Sequence, residues 1–289
     1  MWQIDSFEGG KWSRAEFLLS IATRFEKENK NVYINVCSRT IDQANELIKK
    51  GEYPDIISYG NGVEIDNFFA ITSEKSFLAG EFDKRQVAIP WCNGKYLLIY
   101  NKKLVDGVNQ NIEELIVSKS DNTLPLIALI QEELTVKNLK IMKPLDAYKE
   151  FLKEKTPYFL GTQRDIVRLT NRFIDYGVYP INGFNDLYQY LSITTTNQTK
   201  IYYINAYINF LLSKPSQKEL YKISMFSPYY TVDFLEEELN KVKVCENRLT
   251  ISPFFSKEKI KELHTLSFNA LMGDENAKIK LKEDYYCKI

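Results

Sequence analysis

The sequence predicts an α/β protein built from two doubly wound regions. Three observations carry this reading. Strand-like and helix-like segments alternate from the first residues, a proline- and glycine-marked seam interrupts them near residue 90, and the alternation resumes beyond it. A chain of 289 residues is long enough for about two domains and a substantial core.

Trp2 to Asp5 is read as the first strand, followed by the loop Ser6 to Gly10. Ser13-x-x-Glu16 has the spacing of a capping box, and the helix it opens carries Leu18, Ile21, Ala22 and Phe25 on one face. Val32 to Val36 alternates with β-branched residues and is read as the second strand. Thr40-x-x-Gln43 repeats the capping box, Ile41, Ala44, Leu47 and Ile48 form the next apolar face, and Gly51 stands where a helix C-terminus favours glycine. Ile56 to Tyr59 is the third strand. The order β-α-β-α-β implies a parallel sheet with right-handed crossovers, in which ligands bind beyond the carboxyl ends of the strands. The loops there are Ser6 to Gly10, Cys37 to Arg39 and Tyr59 to Gly62, although their glycines equally serve turns.

The seam is Val87 to Asn101. Pro90 restricts the backbone, Gly94 frees it, and the apolar run Tyr96 to Tyr100 reads as a new buried strand. By itself the stretch suits either a crossing between two lobes or a strand turning inside one domain. Further on, Leu124 to Ile130 is an apolar run, Asp146 to Lys155 is helical and Tyr158 to Leu160 is a short strand. Thr162 and Asp165 then have the spacing of a cap and its third residue, opening a helix that runs to Phe173. Arg164 places a cation in that first turn, against the helix dipole, which makes it a candidate for ligand contact; Arg14 does the same in the first helix. Asp165 has sufficient work as a capping acid and as partner of Arg168. Ile204 to Leu212 is a strongly apolar helix, and Val232 to Ile289 reads mainly as amphipathic helices.

Composition narrows the function. With 38 basic and 38 acidic side chains and no basic stripe, nothing points to a nucleic-acid partner. No apolar run reaches the ~20 residues that span a bilayer, and the first residues contain no signal peptide. Cys37, Cys92, Cys245 and Cys287 form no C-x-x-C and are read as small buried thiols, with two long-range disulfides left open. The single histidine, His264, lies on a helical stretch far from the glycine loops, and the spacings imply neither a metal site nor a cofactor.

Several stretches together resemble the extracellular solute-binding proteins of ABC importers, in the family 1 sugar-binding branch. They are Asp5 to Gly10, Phe25 to Asn29, Pro54 to Gly60, the seam through Leu104, Leu160 to Asp165, and Tyr207 to Gln217 with F-L-L-S-K-P-S-Q. The resemblance covers nearly the whole chain and rests on order and spacing. It implies a bilobal periplasmic-binding-protein-like fold, two doubly wound lobes joined by a multi-strand hinge. Residues 1–90 with 193–228 would form the first lobe, and 91–192 with 229–289 a second, shortened lobe. By the same resemblance the crossings lie near Ala88 to Asn93, Leu191 to Thr195 and Ser224 to Pro228.

Carried over residue by residue, the resemblance implies ligand contacts at Phe7 and Glu8, at Tyr59 and Asn61, at Trp91 and Asn93 on the hinge face, and at Gln163 and Arg164. Aromatic faces against C–H surfaces and planar polar groups against hydroxyls suit a carbohydrate. It also implies an ABC permease as partner, a monomer, export, and a cell-surface lipid anchor whose leader and cysteine this chain does not show. Two departures bear on the ligand: the interval from Lys103 to Leu145 is short, and Lys95 follows the hinge glycine where a small residue is common. Two rival functions are a bilobal sensor for a signalling partner and a carboxylate-dependent glycosidase using Glu8 and Asp165.

Overall fold

A computed structural model of the chain describes residues 1–5, 11–243 and 247–288; the loop with Phe7 and Glu8, and Cys245, lie outside the described residues. Two five-stranded sheets organise the molecule. The first runs in the order Cys37–Arg39, Trp2–Ile4, Ile56–Tyr59, Tyr188–Ile193, Ile89–Asn93. The second runs Thr135–Met142, Asn111–Ser118, Tyr158–Thr162, Tyr96–Asn101, Tyr176–Pro180. In each, the first three strands are parallel and the fourth is antiparallel to both of its neighbours. The expected wholly parallel first sheet is therefore mixed, because a strand returning from the second lobe is inserted into it.

The local signals for the first two helices hold. Ser13 Oγ accepts from the Glu16 N–H at 3.1 Å while the Ser13 N–H donates to Glu16 Oε2 at 3.2 Å, opening Arg14–Glu28. Thr40 and Gln43 make the same reciprocal pair at the head of Ile41–Lys49. Gly51 takes φ +76°, a backbone region where a side chain would be strained, and its N–H closes on the Ile48 carbonyl at 2.8 Å.

The second strand lies five residues beyond its expected place, at Cys37–Arg39 instead of Val32 to Val36. The alternating segment is diverted: the Ile34 N–H donates to Glu26 Oε1 at 2.7 Å, and ladder bonding begins where the Cys37 N–H reaches the Met1 carbonyl at 3.0 Å. The short interval before Leu145 contains a complete strand-helix-strand unit: Asn111–Ser118, Pro125–Gln131 and Thr135–Met142. Its last strand is an edge strand whose Lys137 and Lys140 pair with Glu113 and Glu114 at 2.6 and 2.7 Å, charges that oppose further strand addition.

The first sheet buries one face against Arg14–Glu28 and Gln198–Leu212, with Phe17 stacked on Trp91 at 5.7 Å and Phe25 edge-on to Tyr207 at 5.6 Å. Tyr59, Tyr188, Tyr190 and Phe77 pack ring against ring in a second cluster. A polar thread runs through this core. Trp91 Nε1 donates to Ser58 Oγ at 2.9 Å, Gln189 Nε2 donates to the same oxygen at 3.2 Å, and Ser58 in turn donates to Gln3 Oε1 at 2.6 Å. Ser58 thus fills its donor and both acceptor positions while fully buried, at about 1 kcal/mol net per bond. Trp91→Phe keeps a ring on Phe17 but removes one donor, and should lower unfolding free energy by about 1–3 kcal/mol in urea denaturation with an unchanged m-value.

Candidate functional site

Strand direction gathers the carboxyl ends of four strands at one edge of each sheet. On the first sheet these ends lead into Asp5, Thr40, Gly60 to Gly62 and Gly94; on the second they lead into Lys119, Lys143, Gln163 and Ile181. The chain crosses from one edge to the other between Asn93 and Tyr96, and returns between Pro180 and Tyr188. A third strand of chain joins them at Phe226, which exchanges two backbone hydrogen bonds with Asn93 at 3.0 and 2.9 Å.

The expected site residues separate into those at this interlobe edge and those beneath it. Tyr59 and Trp91 are wholly buried in the core of the first lobe. Ser192 Oγ donates to the Val87 carbonyl at 2.6 Å, so in the 3.1 Å contact between Tyr59 and Ser192 the tyrosine is the donor. Burial pushes the Tyr59 phenol well above its ordinary range. Gln163 is wholly buried as well, with its amide among the crossings. Asn61, Asn93 and Arg164 stand at the facing edges. Phe7 and Glu8 lie outside the described residues.

Asn61 Nδ2 donates to the Asp186 carbonyl at 3.1 Å and to its carboxylate at 3.3 Å, which orients the amide and leaves Asn61 Oδ1 buried with no partner among the described residues. Asn93 Nδ2 donates to the Gly94 carbonyl at 3.1 Å, leaving Asn93 Oδ1 in the same condition. Two buried acceptors on one edge are thus open to a donor. Arg164 is half-buried and within electrostatic reach of Arg14. Arg14 is almost fully buried; burial lowers its pKa, Arg164 adds to that, and Asp5, 3.5 Å away, opposes it. The two cations that break the helix-dipole preference therefore come from opposite lobes to one place. On the second-lobe edge, Tyr96, Ser118, Ser120, Thr123, Thr162 and Asp165 line a cavity of about 20 Å³, room for a single water.

Asp186 is the residue sequence reasoning passed over. Its buried carboxylate accepts from Tyr96 OH at 2.6 Å, from the Leu124 N–H at 2.9 Å and from Asn61, gathering the first crossing and both lobes. Nothing local marks it, since its partners lie more than 60 residues away in sequence. His264 was expected far from the glycine loops. Its Nε2 instead lies 2.9 Å from the Thr123 carbonyl, where a neutral ring donates, and adjacent Asn122 donates to the Asn61 carbonyl at 3.4 Å. Asp165 is held as expected, accepting from the Thr162 N–H at 2.8 Å with Arg168 at 3.7 Å.

Among the described residues Cys37, Cys92 and Cys287 are free thiols, no group of three or more His, Cys, Asp or Glu is placed to hold a metal ion, and no helix is long and apolar enough to cross a membrane.

These features define a bilobal α/β fold of the periplasmic-binding-protein-like kind. Among solved structures the chain is similar to the GacH receptor of Streptomyces glaucescens GLA.O, solved unliganded and with acarbose or an acarbose homolog. The TM-score is 0.61 at 12% identity, covering 98% of each chain. It is also similar to iron-bound HitA from Pseudomonas aeruginosa, with a TM-score of 0.59 at 11% identity, covering 92% of this chain and 98% of that one. At such identities the likeness carries the fold. No protein-family model and no curated protein matches the chain.

The junction has opposing pH dependences. Burial pushes the Asp186 carboxyl up from 3.8 to about 6, restrained by its hydrogen bonds, so the folded state holds that proton more tightly than the unfolded chain. Its contribution therefore falls as pH rises through that window, by about 3 kcal/mol in all. Burial, aided by Lys119, lowers His264 from 6.5 to about 4, so its contribution is full above 6.5 and falls as pH drops. Relative to the parent protein, Asp186→Asn should make stability rise more steeply with pH across this range, and His264→Gln should make it fall; urea titrations at several pH values read both slopes.

Proposed function

We propose that this protein is an extracytoplasmic, non-catalytic solute-binding protein. It captures a small solute, a carbohydrate, between the lobes by hinge closure and hands it to the permease of an ABC importer. The observation that carries the reading is the pair of facing carboxyl edges joined by repeated chain crossings, with the buried acceptors Asn61 Oδ1 and Asn93 Oδ1 lacking a partner among the described residues. A hydroxyl group answers both halves of such an edge: it donates to the asparagine oxygens and accepts from Arg164. In this reading Asn61, Asn93 and Arg164, with Phe7 and Glu8, meet the solute, while Tyr59, Trp91 and Gln163 support them from beneath.

The lobe division we propose follows the expected 1–90 plus 193–228 and 91–192 plus 229–289, with its edges moved to the strand ends at Asn93 and Tyr188. The mature protein acts as a monomer held at the cell surface by a lipid anchor. The rival hydrolase using Glu8 and Asp165 is disfavoured because Asp165 is committed to its helix cap.

The test is thermal unfolding against mono- and oligosaccharides, sugar phosphates, polyamines and amino acids. A saccharide present at 100 times its Kd should stabilise the folded protein by about 2.7 kcal/mol. A shift produced only by another solute class removes the carbohydrate assignment and keeps the receptor. Arg164→Gln should weaken binding about tenfold or more, read by calorimetry, with the ligand-free midpoint unchanged.

A further inference from the structure

The geometry points to Gln163 as a positioning residue for lobe closure, a buried strut that sets how far the lobes can part. This rests on the interlobe cleft being the solute site. Gln163 is the first residue of the helix Gln163–Thr170 and has no solvent exposure. Its Oε1 accepts from the Lys95 N–H at 3.0 Å, on the second-lobe side of the first crossing. Its Nε2 lies 3.1 Å from Met225 Sδ, next to the Phe226 that is bonded in both directions to Asn93. The return crossing closes the group: the Gly94 N–H donates to the Leu187 carbonyl at 2.7 Å, and Asn185 Nδ2 donates to the Gly94 carbonyl at 2.9 Å.

One amide therefore grips two crossings and packs against Gly94, to which the return crossing is bonded. Gly94 shows how tight the fit is. A Cβ there would meet Gln163 Oε1 at 3.0 Å, Gln163 Nε2 at 3.1 Å and Leu187 Cβ at 3.2 Å, so a side chain fits only if these neighbours give by a few tenths of an ångström. The base of the strut is rigid, since Asp165 closes the helix start onto the Thr162 N–H at 2.8 Å. Lys95 belongs to the second sheet's side, whereas Met225 immediately precedes Phe226, which is bonded to Asn93 on the first. A change of lobe angle consequently shears the Met225 contact while the Lys95 bond holds. Arg164, the next residue, stands at the facing edge, so a solute held there pulls on the same helix end that grips the hinge.

The test is small-angle X-ray scattering of ligand-free protein, with the thermal midpoint measured alongside. Gln163→Leu should enlarge the radius of gyration and raise the open population about fivefold or more. Met225→Leu, which conserves volume, should give a smaller change of the same sign, and Gly94→Ala should act as a wedge in the same direction. Scattering identical to the parent in both Gln163→Leu and Met225→Leu, with only the midpoint lowered, would reduce Gln163 to a packing residue and overturn the proposal. If Gln163→Leu does not fold, the Met225→Leu scattering alone decides. Because no solute is present, altered scattering together with a silent ligand panel would sink the functional reading and leave the strut standing.

Discussion

The lobes depend on one buried carboxylate. Asp186 sits where the chain returns to the first sheet, and a carboxylate removed from water costs several kcal/mol unless its oxygens are filled. Here they are filled from three directions, which offsets part of that cost: Asn61 on a first-lobe loop, Tyr96 at the start of the second sheet, and the Leu124 N–H at the head of Pro125–Gln131. Each donor is placed by a different element, so the carboxylate is satisfied only when both lobes and the crossing are in register. That requirement relates a single side chain to the relative placement of the lobes, and the adjacent contact of His264 with the Thr123 carbonyl adds a second bond to the same segment.

The two sheets share one topology, three parallel strands followed by an antiparallel strand and an outer strand. In each lobe the antiparallel strand is the one that has just arrived from the other lobe: Tyr96–Asn101 in the second, Tyr188–Ile193 in the first. The exchange means that neither sheet is complete without a strand delivered through a crossing. Both arriving strands are almost wholly buried, so they are anchored by their sheets. The lobes are joined through short segments around Gly94, Asn185 to Leu187 and Phe226, which are bonded to one another. Hinge closure of two lobes about such segments is the motion that the proposed function requires.

Much of this was legible in the chain. Reciprocal capping at Ser13 and Glu16 and at Thr40 and Gln43, the left-handed Gly51 and the buried run after Gly94 are local effects, decided by a residue and its neighbours within one turn or one strand. The misplacement of the second strand arose because alternation in Val32 to Val36 describes an extended segment without saying which backbone it pairs with; Glu26 took the Ile34 N–H first. Of the two strands between Asn111 and Met142, the edge strand Thr135–Met142 was passed over because it is mostly exposed and charged, with little apolar signal; Asn111–Ser118 carries its apolar run only in its second half.

By itself the sequence determined the α/β alternation, the helix starts, the seam and the two arginines set against their helix dipoles, since each follows from residues close together along the chain. Only the tertiary structure decided which side of the surface the site residues occupy. Ile89–Asn93 and Ile56–Tyr59 are buried on both faces, so periodicity could not separate a cleft-facing aromatic from a core one; Trp91 lies in the core on Phe17, and Tyr59 in it against Tyr190. The meeting of Asp186 with Asn61 and Leu124, and of Gln163 with Lys95 and Met225, joins residues some 60 or more positions apart. Such contacts exist only once the chain has crossed between the lobes, because no local pattern records which distant donor will fill a buried acceptor.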